Sequence, residues 1–376
     1  MKRVLIFSLA YYPHVGGAEV AIKEITNRIQ DIEFHLITLN FGGEKKEEKI
    51  GNVFVHRVGN GSSYLEKIFF IPRAARSAAR LHRKHPFNAF WAMMSYMLFP
   101  IVLLRWFGVR VPYLLTLQEG DPFSHTFNRW FILPFRSLLS TGFKNASAVQ
   151  VISTYLAQWA GRIGYQGKAL VIPNGVDVAH FQSVQHLVLN TTTLVTTSRL
   201  VHKNAVDDVI RALKLLPDNV RFRIYGSGPD EKKLKNLAHE LDVESRVEFR
   251  GYIDHSELPR ALSECAIFIR PSRSEGMGNS FIEAMAAGLP VIATQEGGIA
   301  DFLFDAKRNP NKETTGWAVD KNSPEQIAEA VKDILAHPKQ VARVKETAKK
   351  MAIEKYDWNL IANKMKTLFD RLLEKR

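Results

Sequence analysis

RPSRSEGMGNSFIEAMAAGLPVIAT, from Arg270 to Thr294, decides how the rest of the sequence is read. Just ahead of its chemistry, Ala266-Ile267-Phe268-Ile269 is a short apolar run of the kind a buried parallel strand shows, and Leu289-Pro290-Val291-Ile292-Ala293 is another. Between them the sequence predicts a helix from Ser280 to Ala287, entered after Gly276 and Gly278 and closed by Gly288 and Pro290. Two carboxylates, Glu275 and Glu283, stand with seven residues between them. Glu275 falls in the glycine-rich loop at the strand's C-terminal end, and Glu283 about one turn into the helix. Both can face one crevice at the top of the sheet, where open α/β folds bind ligands. The backbone N–H groups of Gly278, Asn279 and Ser280 lie near the helix start, where an anion is favoured. Two solvated glutamates on a plain strand, loop and helix would show the same spacing, so the flanking residues carry the weight.

Working outward, 376 residues suffice for two domains of ordinary size, each able to bury its own core. A composition of 46% hydrophobic and 24% charged residues, without a low-complexity tract, is that of a globular protein. The single cysteine, Cys265, excludes an internal disulfide and fits a reducing compartment; it precedes an apolar strand, as a buried, inert thiol does. The start, MKRVLIFSLAYYPHVGG, has the basic and apolar character of a signal peptide but no small-residue cleavage site, so VLIFSL reads as the first buried strand and the protein is expected in the cytoplasm. Net charge is +13 and unevenly placed: up to Ile172 there are 21 Lys and Arg against 10 Asp and Glu, and beyond it 30 against 28. The basic surplus belongs to the first half and suits an anionic partner there, with nothing pointing to nucleic acid.

Val4–Leu9 is followed by Tyr11-Tyr12-Pro13-His14-Val15-Gly16-Gly17-Ala18-Glu19 and an apolar-periodic helix through Ile29. The glycine pair lets backbone approach a ligand closely, or makes only a tight turn; G-x-G-x-x-G is absent. Phe34–Leu39 and Val53–Val58 are strands, and Glu44–Lys49 reads as a solvated charged loop. From Tyr64 to Arg110 the composition changes: Phe69, Phe70, Ile71 and Leu81 alternate with Lys67, Arg73, Arg76, Arg80, Arg83 and Lys84. Such a stretch holds a protein at an anionic membrane surface, or is a helix with a solvated basic face. The nineteen uncharged residues Pro86–Leu104 reach the lower bound for a membrane span, but Asn88, Ser95 and Pro100 interrupt them. A strand over Phe87–Met94 and a helix over Met97–Trp106 keep the βα alternation instead. Val111–Leu117 ends in Gln118-Glu119-Gly120-Asp121, whose carboxylates either hold an acceptor hydroxyl or cap the next segment. Ala148–Ile152, with Ser153 as N-cap of a helix, and Ala169–Ile172 complete the first half before the turn Pro173-Asn174-Gly175-Val176-Asp177.

The second half restarts the pattern with Thr193–Thr197, ending in Ser198-Arg199-Leu200-Val201-His202-Lys203-Asn204. Arg199 and Lys203, beside a helix expected from about Val206, make a diphosphate cradle. Arg221–Tyr225 ends in Gly226-Ser227-Gly228-Pro229, and Val247–Arg250 in Gly251-Tyr252-Ile253. Glu296-Gly297-Gly298, a late strand at Gly316–Val319 and helices from Pro324 and from Val341 follow.

The flanks P-S-x-x-E-G and E-A-M-A-A-G-x-P-V-I-A-T around E-x7-E resemble the signature of family 4 of the retaining glycosyltransferases, which have the two-domain GT-B fold. The P-x-x-G-G-A-E segment, S-R-L-x-x-x-K, N-G-V-D and Tyr356-Asp357-Trp358 resemble the same family. Two departures stand out: Asn204 replaces a glycine, and Gln118 replaces a donor-contacting histidine, so that position cannot carry a proton. The resemblance is specific in the second half and loose from Asn60 to Ala146, where such enzymes bind the acceptor.

It implies two Rossmann-like domains facing across a cleft: residues 1–172, with about 358–376 crossing back, for the acceptor, and 173–357 for the donor. It further implies a retaining hexosyltransferase using a UDP- or GDP-linked sugar, without a cofactor and without a metal, since no D-x-D occurs in the chain. Arg199, Lys203 and Glu275 would be catalytic, the cations stabilising the leaving diphosphate. Gly16, Gly17, Gly226, Tyr252, Ile253, Gly276, Met277, Gly278, Asn279, Ser280 and Glu283 would bind the donor, Glu283 through the ribose and Glu275 through the sugar hydroxyls. Gln118, Glu119 and Asp121 are acceptor-side candidates, and a lipid-linked or membrane-proximal glycan at the inner face of the cytoplasmic membrane is the expected acceptor. The rivals are a sugar-nucleotide epimerase or phosphorylase of the same fold, an oxidoreductase disfavoured by the missing fingerprint, and a membrane-binding scaffold on a decayed transferase.

Overall fold

The computed structural model describes residues 1–183 and 192–374. They form two compact units: Met1–Asn174 together with the chain from Trp358 onward, and Gly175–Asp357. Each is an α/β unit whose sheet, parallel but for one edge strand of the first, has helices packed on it.

In the first unit the strands are β1 (Lys2–Phe7), β2 (Ile32–Leu39), β3 (Glu47–Ile50), β4 (Val53–Val58), β5 (Ala89–Met93), β6 (Tyr113–Leu117), β7 (Ala148–Val151) and β8 (Leu170–Val171), in the spatial order β3-β4-β2-β1-β5-β6-β7-β8. β1, β5 and β6 are continuous apolar runs because helices cover both sheet faces: Val4–Phe7, Ala89–Met93 and Tyr113–Leu117 are all buried. All pairings are parallel except β3 with β4. Here the structure corrects the expected charged loop: Glu47-Glu48-Lys49-Ile50 is a strand, turned at Gly51 (φ 56°) and paired antiparallel with β4. An edge strand exposed to water carries charge without an apolar signature, so its composition hid it.

The uncharged stretch divides into β5, a 3-10 turn at Ser95–Met97 and a helix at Leu98–Trp106. No helix among the described residues is long and apolar enough to cross a membrane. The basic-aromatic stretch is one helix, Tyr64–Lys84, with Ser63 accepting from the Glu66 N–H as its cap. Its buried face is Phe70, Ala74, Ala75 and Ala78, while Arg73, Arg76, Arg80 and Arg83 are exposed. The last helix, Trp358–Glu374, returns to this unit: Trp358, Ile361, Met365, Phe369 and Leu372 share a core with Val4, Ile6, Phe34 and Trp91. The Phe369 ring meets Trp91 edge-on at 5.2 Å and Phe34 at 5.8 Å. Burying one such side chain is worth about 1.5–3 kcal/mol, so this helix is part of the unit's stability.

The second unit has β9 (Thr192–Thr197), β10 (Val220–Tyr225), β11 (Val247–Gly251), β12 (Ile267–Arg270), β13 (Val291–Ala293) and β14 (Trp317–Ala318), all parallel, in the order β11-β10-β9-β12-β13-β14. The order reverses beside β9: the chain moves outward from it to β10 and β11, then returns to its other side at β12. β9 and β12 therefore flank a topological switch point, the place where open α/β sheets bind ligands at the carboxyl ends of their strands.

Candidate active site

The loop after β12 holds the two glutamates. Gly278 (φ +85°) starts the Asn279–Ala286 helix, and a side chain there would strike the Arg270 guanidinium at 2.7 Å and the Phe281 ring at 2.5 Å. Beneath the loop lies Arg270, the last residue of β12, only 6% exposed. Its Nη2 donates to Glu275 Oε2 at 2.6 Å and its Nη1 to Ser280 Oγ at 2.8 Å, while the guanidinium stacks over Phe281 at 4.2 Å. Burial pulls Arg270 below the ordinary guanidinium value, with the charges of Glu275 and Glu283 opposing that shift. The other oxygen of Glu275 accepts from the Gly276 N–H at 2.9 Å. A charged residue ending an otherwise apolar strand must find a partner, and that is the signal Arg270 leaves in the sequence. Met277, expected at the donor, is 2% exposed and packed into the core, so only its backbone remains for a ligand.

The loops after β13 and β9 touch this one, and the loop after β10 touches that after β9. Gly297 (φ +60°) lies against the Glu275 carbonyl, where a Cβ would come within 1.9 Å, and the Gly298 N–H donates to that carbonyl at 3.1 Å. Gly226 (φ +136°) lies as close to the Ser198 carbonyl, also 1.9 Å from a built Cβ, so the β9 and β10 loops touch backbone to backbone. The β9 loop carries Arg199, exposed, and Lys203, half-buried in the 3-10 turn His202–Asn204. Asn204, where the family has glycine, is 5% exposed and donates to the Arg199 carbonyl at 2.6 Å. The left-handed residue is its neighbour Ala205 (φ 54°).

Arg273, not singled out from sequence, ties the β9 and β12 loops together. Its N–H donates to the Lys203 carbonyl at 2.7 Å, and its guanidinium to the His202 carbonyl, to both oxygens of Asp207 at 2.8 and 2.9 Å, and to Asp208 at 2.8 Å. Burial alone would raise Asp207, but Arg273 outweighs it and holds that carboxyl below its usual range. Asp208 goes the other way, raised by burial and by the charge of Asp207. On the helix, Glu283 Oε1 lies 3.2 Å from His255 Nε2. Tyr252, after β11, is 76% exposed and Ile253 is half-buried. The structure thus gathers Arg199, Lys203, Gly226, Tyr252, Glu275, Gly278, Ser280 and Glu283 around the carboxyl ends of one sheet.

Gly16, Gly17, Gln118, Glu119 and Asp121 belong to the first unit. Gly16 is extended (φ −138°), a Cβ on Gly17 would meet nothing within 4 Å, and one on Gly16 would meet only the Glu19 carboxylate. The turn itself therefore does not require the glycine pair. Gln118 forms a reciprocal amide pair with Asn174, 3.1 Å in both directions. The Glu119 carboxylate points inward, and the next helix, Phe123–Phe127, begins after Pro122 without a side-chain cap from it. Glu119 is 4% exposed and turns back to accept from the Ser95 N–H at 2.7 Å, its other oxygen carries no hydrogen bond, and burial raises its pKa. Ser95 follows Met94, whose φ of 70° makes this a strained strand end. Asp121 is half-buried and 3.4 Å from His125.

A family model described as Glycosyltransferase Family 4 matches residues 15–180, and one described as Glycosyl transferases group 1 matches residues 180–351. This chain belongs to glycosyltransferase family 4. Among the relatives of this family 4 enzyme, a GDP-mannose-dependent alpha-(1-6)-phosphatidylinositol monomannoside mannosyltransferase of Mycobacterium tuberculosis is 28% identical over 97% of both chains. An uncharacterized glycosyltransferase of Methanocaldococcus jannaschii is 24% identical over 99% of both. Sucrose-phosphate synthase from Thermosynechococcus elongatus superposes with a TM-score of 0.87 at 17% identity, covering 100% of each chain. Anabaena HepE, solved with UDP-glucose, gives 0.80 at 17% identity, over 99% of this chain and all of that one. The fold is GT-B, and the activity class is transfer of a glycosyl group from a nucleotide sugar.

Proposed function

We propose that this family 4 enzyme is a retaining, metal-independent hexosyltransferase that moves a sugar from a UDP- or GDP-linked donor to a hydroxyl of a lipid-linked glycan acceptor. The observation that carries the reading is the joining of the β9 and β12 loops through Arg273, which sets the Arg199–Lys203 segment beside the loop of Glu275. In this reading the two cations, with the helix N-terminus at Asn279, stabilise the negative charge that grows on the leaving diphosphate. Glu283 accepts from the ribose hydroxyls, and Glu275, oriented by Arg270, from hydroxyls of the transferred sugar. No side chain is offered as a nucleophile. The acceptor hydroxyl attacks the anomeric carbon on the face from which the diphosphate leaves, and its proton passes to a phosphate oxygen. No cofactor takes part. The absence of D-x-D and the supply of positive charge by side chains favour a route that needs no metal.

The acceptor side rests on the first unit's charge and surface. Its helix Tyr64–Lys84 exposes Tyr64, Leu65, Ile68 and Phe69 ahead of its arginines, and Trp130, also exposed, packs on Phe131, which meets the Tyr64 ring at 5.9 Å. Exposed aromatic and aliphatic side chains beside cations suit an anionic bilayer, where each Lys or Arg near the surface adds about 1 kcal/mol. The mycobacterial relative's name, which includes a phosphatidylinositol monomannoside, points the same way.

The test is release of free nucleotide from a panel of UDP- and GDP-sugars, with anionic vesicles and excess EDTA present. Turnover of one donor without added metal is expected. Activity lost in EDTA and restored by manganese or magnesium would reject the metal-free route. Failure to sediment with anionic vesicles at low salt would reject the membrane and leave the transferase standing.

A further inference from the structure

We infer that His255 is a positioning residue of the donor site, fixing the Glu283 carboxylate that receives the nucleotide's ribose; this rests on the donor-site reading proposed above. His255 lies in the loop after β11, and its Nε2 is 3.2 Å from Glu283 Oε1. The Glu283 side chain is 13% exposed and the imidazole 51%, so the pair sits at the rim of the site, where a ligand reaches it.

The imidazole is held from behind. Phe181 packs edge-on against it at 5.5 Å, and the His180 ring stacks at 6.1 Å. His180 Nε2 also lies 3.3 Å from the His255 carbonyl. Both residues come from the short helix Val178–Gln182, which directly follows Asn174-Gly175-Val176-Asp177 and is capped by Asp177, whose Oδ1 accepts from the His180 N–H at 3.1 Å. That helix packs against Leu258–Ser263 on one side and Asn279–Ala286 on the other. The segment leading out of N-G-V-D is therefore a buttress for the loop that carries His255.

The chemistry asks for such a support. The terminal torsion of a glutamate is broad, so an unsupported carboxylate loses rotational freedom when two hydroxyls engage it. A hydrogen bond to one oxygen, from a ring that is itself packed, fixes that torsion before the ligand arrives. Glu283 then presents its second oxygen to the ribose in a defined direction. A surface ion pair with no such role would contribute little to anything measurable.

Calorimetric titration of the full chain with UDP and with GDP tests this. His255→Phe keeps a ring against Phe181 and His180 but removes the donor. It should weaken whichever nucleotide the parent binds by about tenfold, with the thermal midpoint unchanged. His255→Gln, which restores an N–H, should recover most of that loss. In a Glu283→Ala background, His255→Phe should cost nothing further. The inference is overturned by parent-like affinity in His255→Phe, by His255→Gln binding as poorly as the phenylalanine variant, or by an undiminished loss once Glu283 is absent. A parent that binds neither nucleotide, or unchanged affinity in Glu283→Ala, would overturn the donor-site reading and this inference with it.

Discussion

Glu119 and Glu275 each lie in a loop leaving the carboxyl end of a parallel strand, β6 in one sheet and β12 in the other, yet their surroundings are opposite. Glu275 meets the Arg270 guanidinium at 2.6 Å and the Gly276 N–H at 2.9 Å, with its loop backbone held by Gly297 and Gly298. Glu119 accepts from Ser95 and from neighbouring backbone, and among the described residues no cation pairs with it. Burial consequently pushes Glu119 toward its neutral form. Position at the top of a sheet does not by itself decide what surrounds a carboxylate. What differs is whether the fold supplies a counter-charge beside it, as Arg270 does for Glu275.

The sharpest way to break this contrast is Arg270→Met, which leaves Glu275 without its counter-charge. Removing one partner of a buried pair costs about 3–5 kcal/mol, read as a drop in the urea midpoint. Adding Glu275→Gln to that variant should recover part of the loss, because the stranded charge is then gone. A loss below about 1 kcal/mol in the single variant would place Arg270 with ordinary surface arginines.

Next in size is the cradle. Arg199→Ala and Lys203→Ala should each lower turnover by about 10²–10³-fold, the usual cost of losing a donor aimed at developing charge. Their unfolding midpoints should match the parent, since Arg199 is exposed and Lys203 half-buried. Turnover within a few-fold of the parent would remove either residue from the cradle.

The smallest effect belongs to Glu119→Gln. Burial places this carboxyl's folded value above its unfolded one, so the folded state holds the proton more tightly. The stability this gives is present at low pH and is lost as pH rises through the folded value. At pH 5 the glutamine variant should lie within about 1 kcal/mol of the parent, the scale of one neutral hydrogen bond. It should gain on the parent as pH rises toward 8, in denaturant titrations at each pH. A variant that instead weakens toward pH 8 would show that Glu119 is charged in the folded protein.

The same contrast explains what the sequence disclosed. β12 is an apolar run that stops at Pro271 and β13 one that starts just after Gly288 and Pro290, so their places and the loop between them were readable from local pattern. The E-x7-E pair was readable for that reason. Arg273 was not, because its partners Asp207 and Asp208 lie far away in sequence and only the β9–β12 pairing brings them near. His255 depends in the same way on a helix of five residues, too short to leave a periodic signal. β3 was hidden because an exposed edge strand needs no apolar residues. The inward turn of Glu119 depends on a strained bend at Met94 that no residue type announces.

The return of the Trp358–Glu374 helix has a consequence for biosynthesis. The core of the first unit includes Trp358, Met365 and Phe369, so it cannot close until the whole of Gly175–Asp357 has been made. The second unit is continuous in sequence and can collapse as it emerges from the ribosome, while the first waits with the apolar surfaces of Val4, Phe34 and Trp91 incompletely covered. Translation therefore finishes the later unit first, and the half of the enzyme synthesised earliest is the half that most needs chaperone protection.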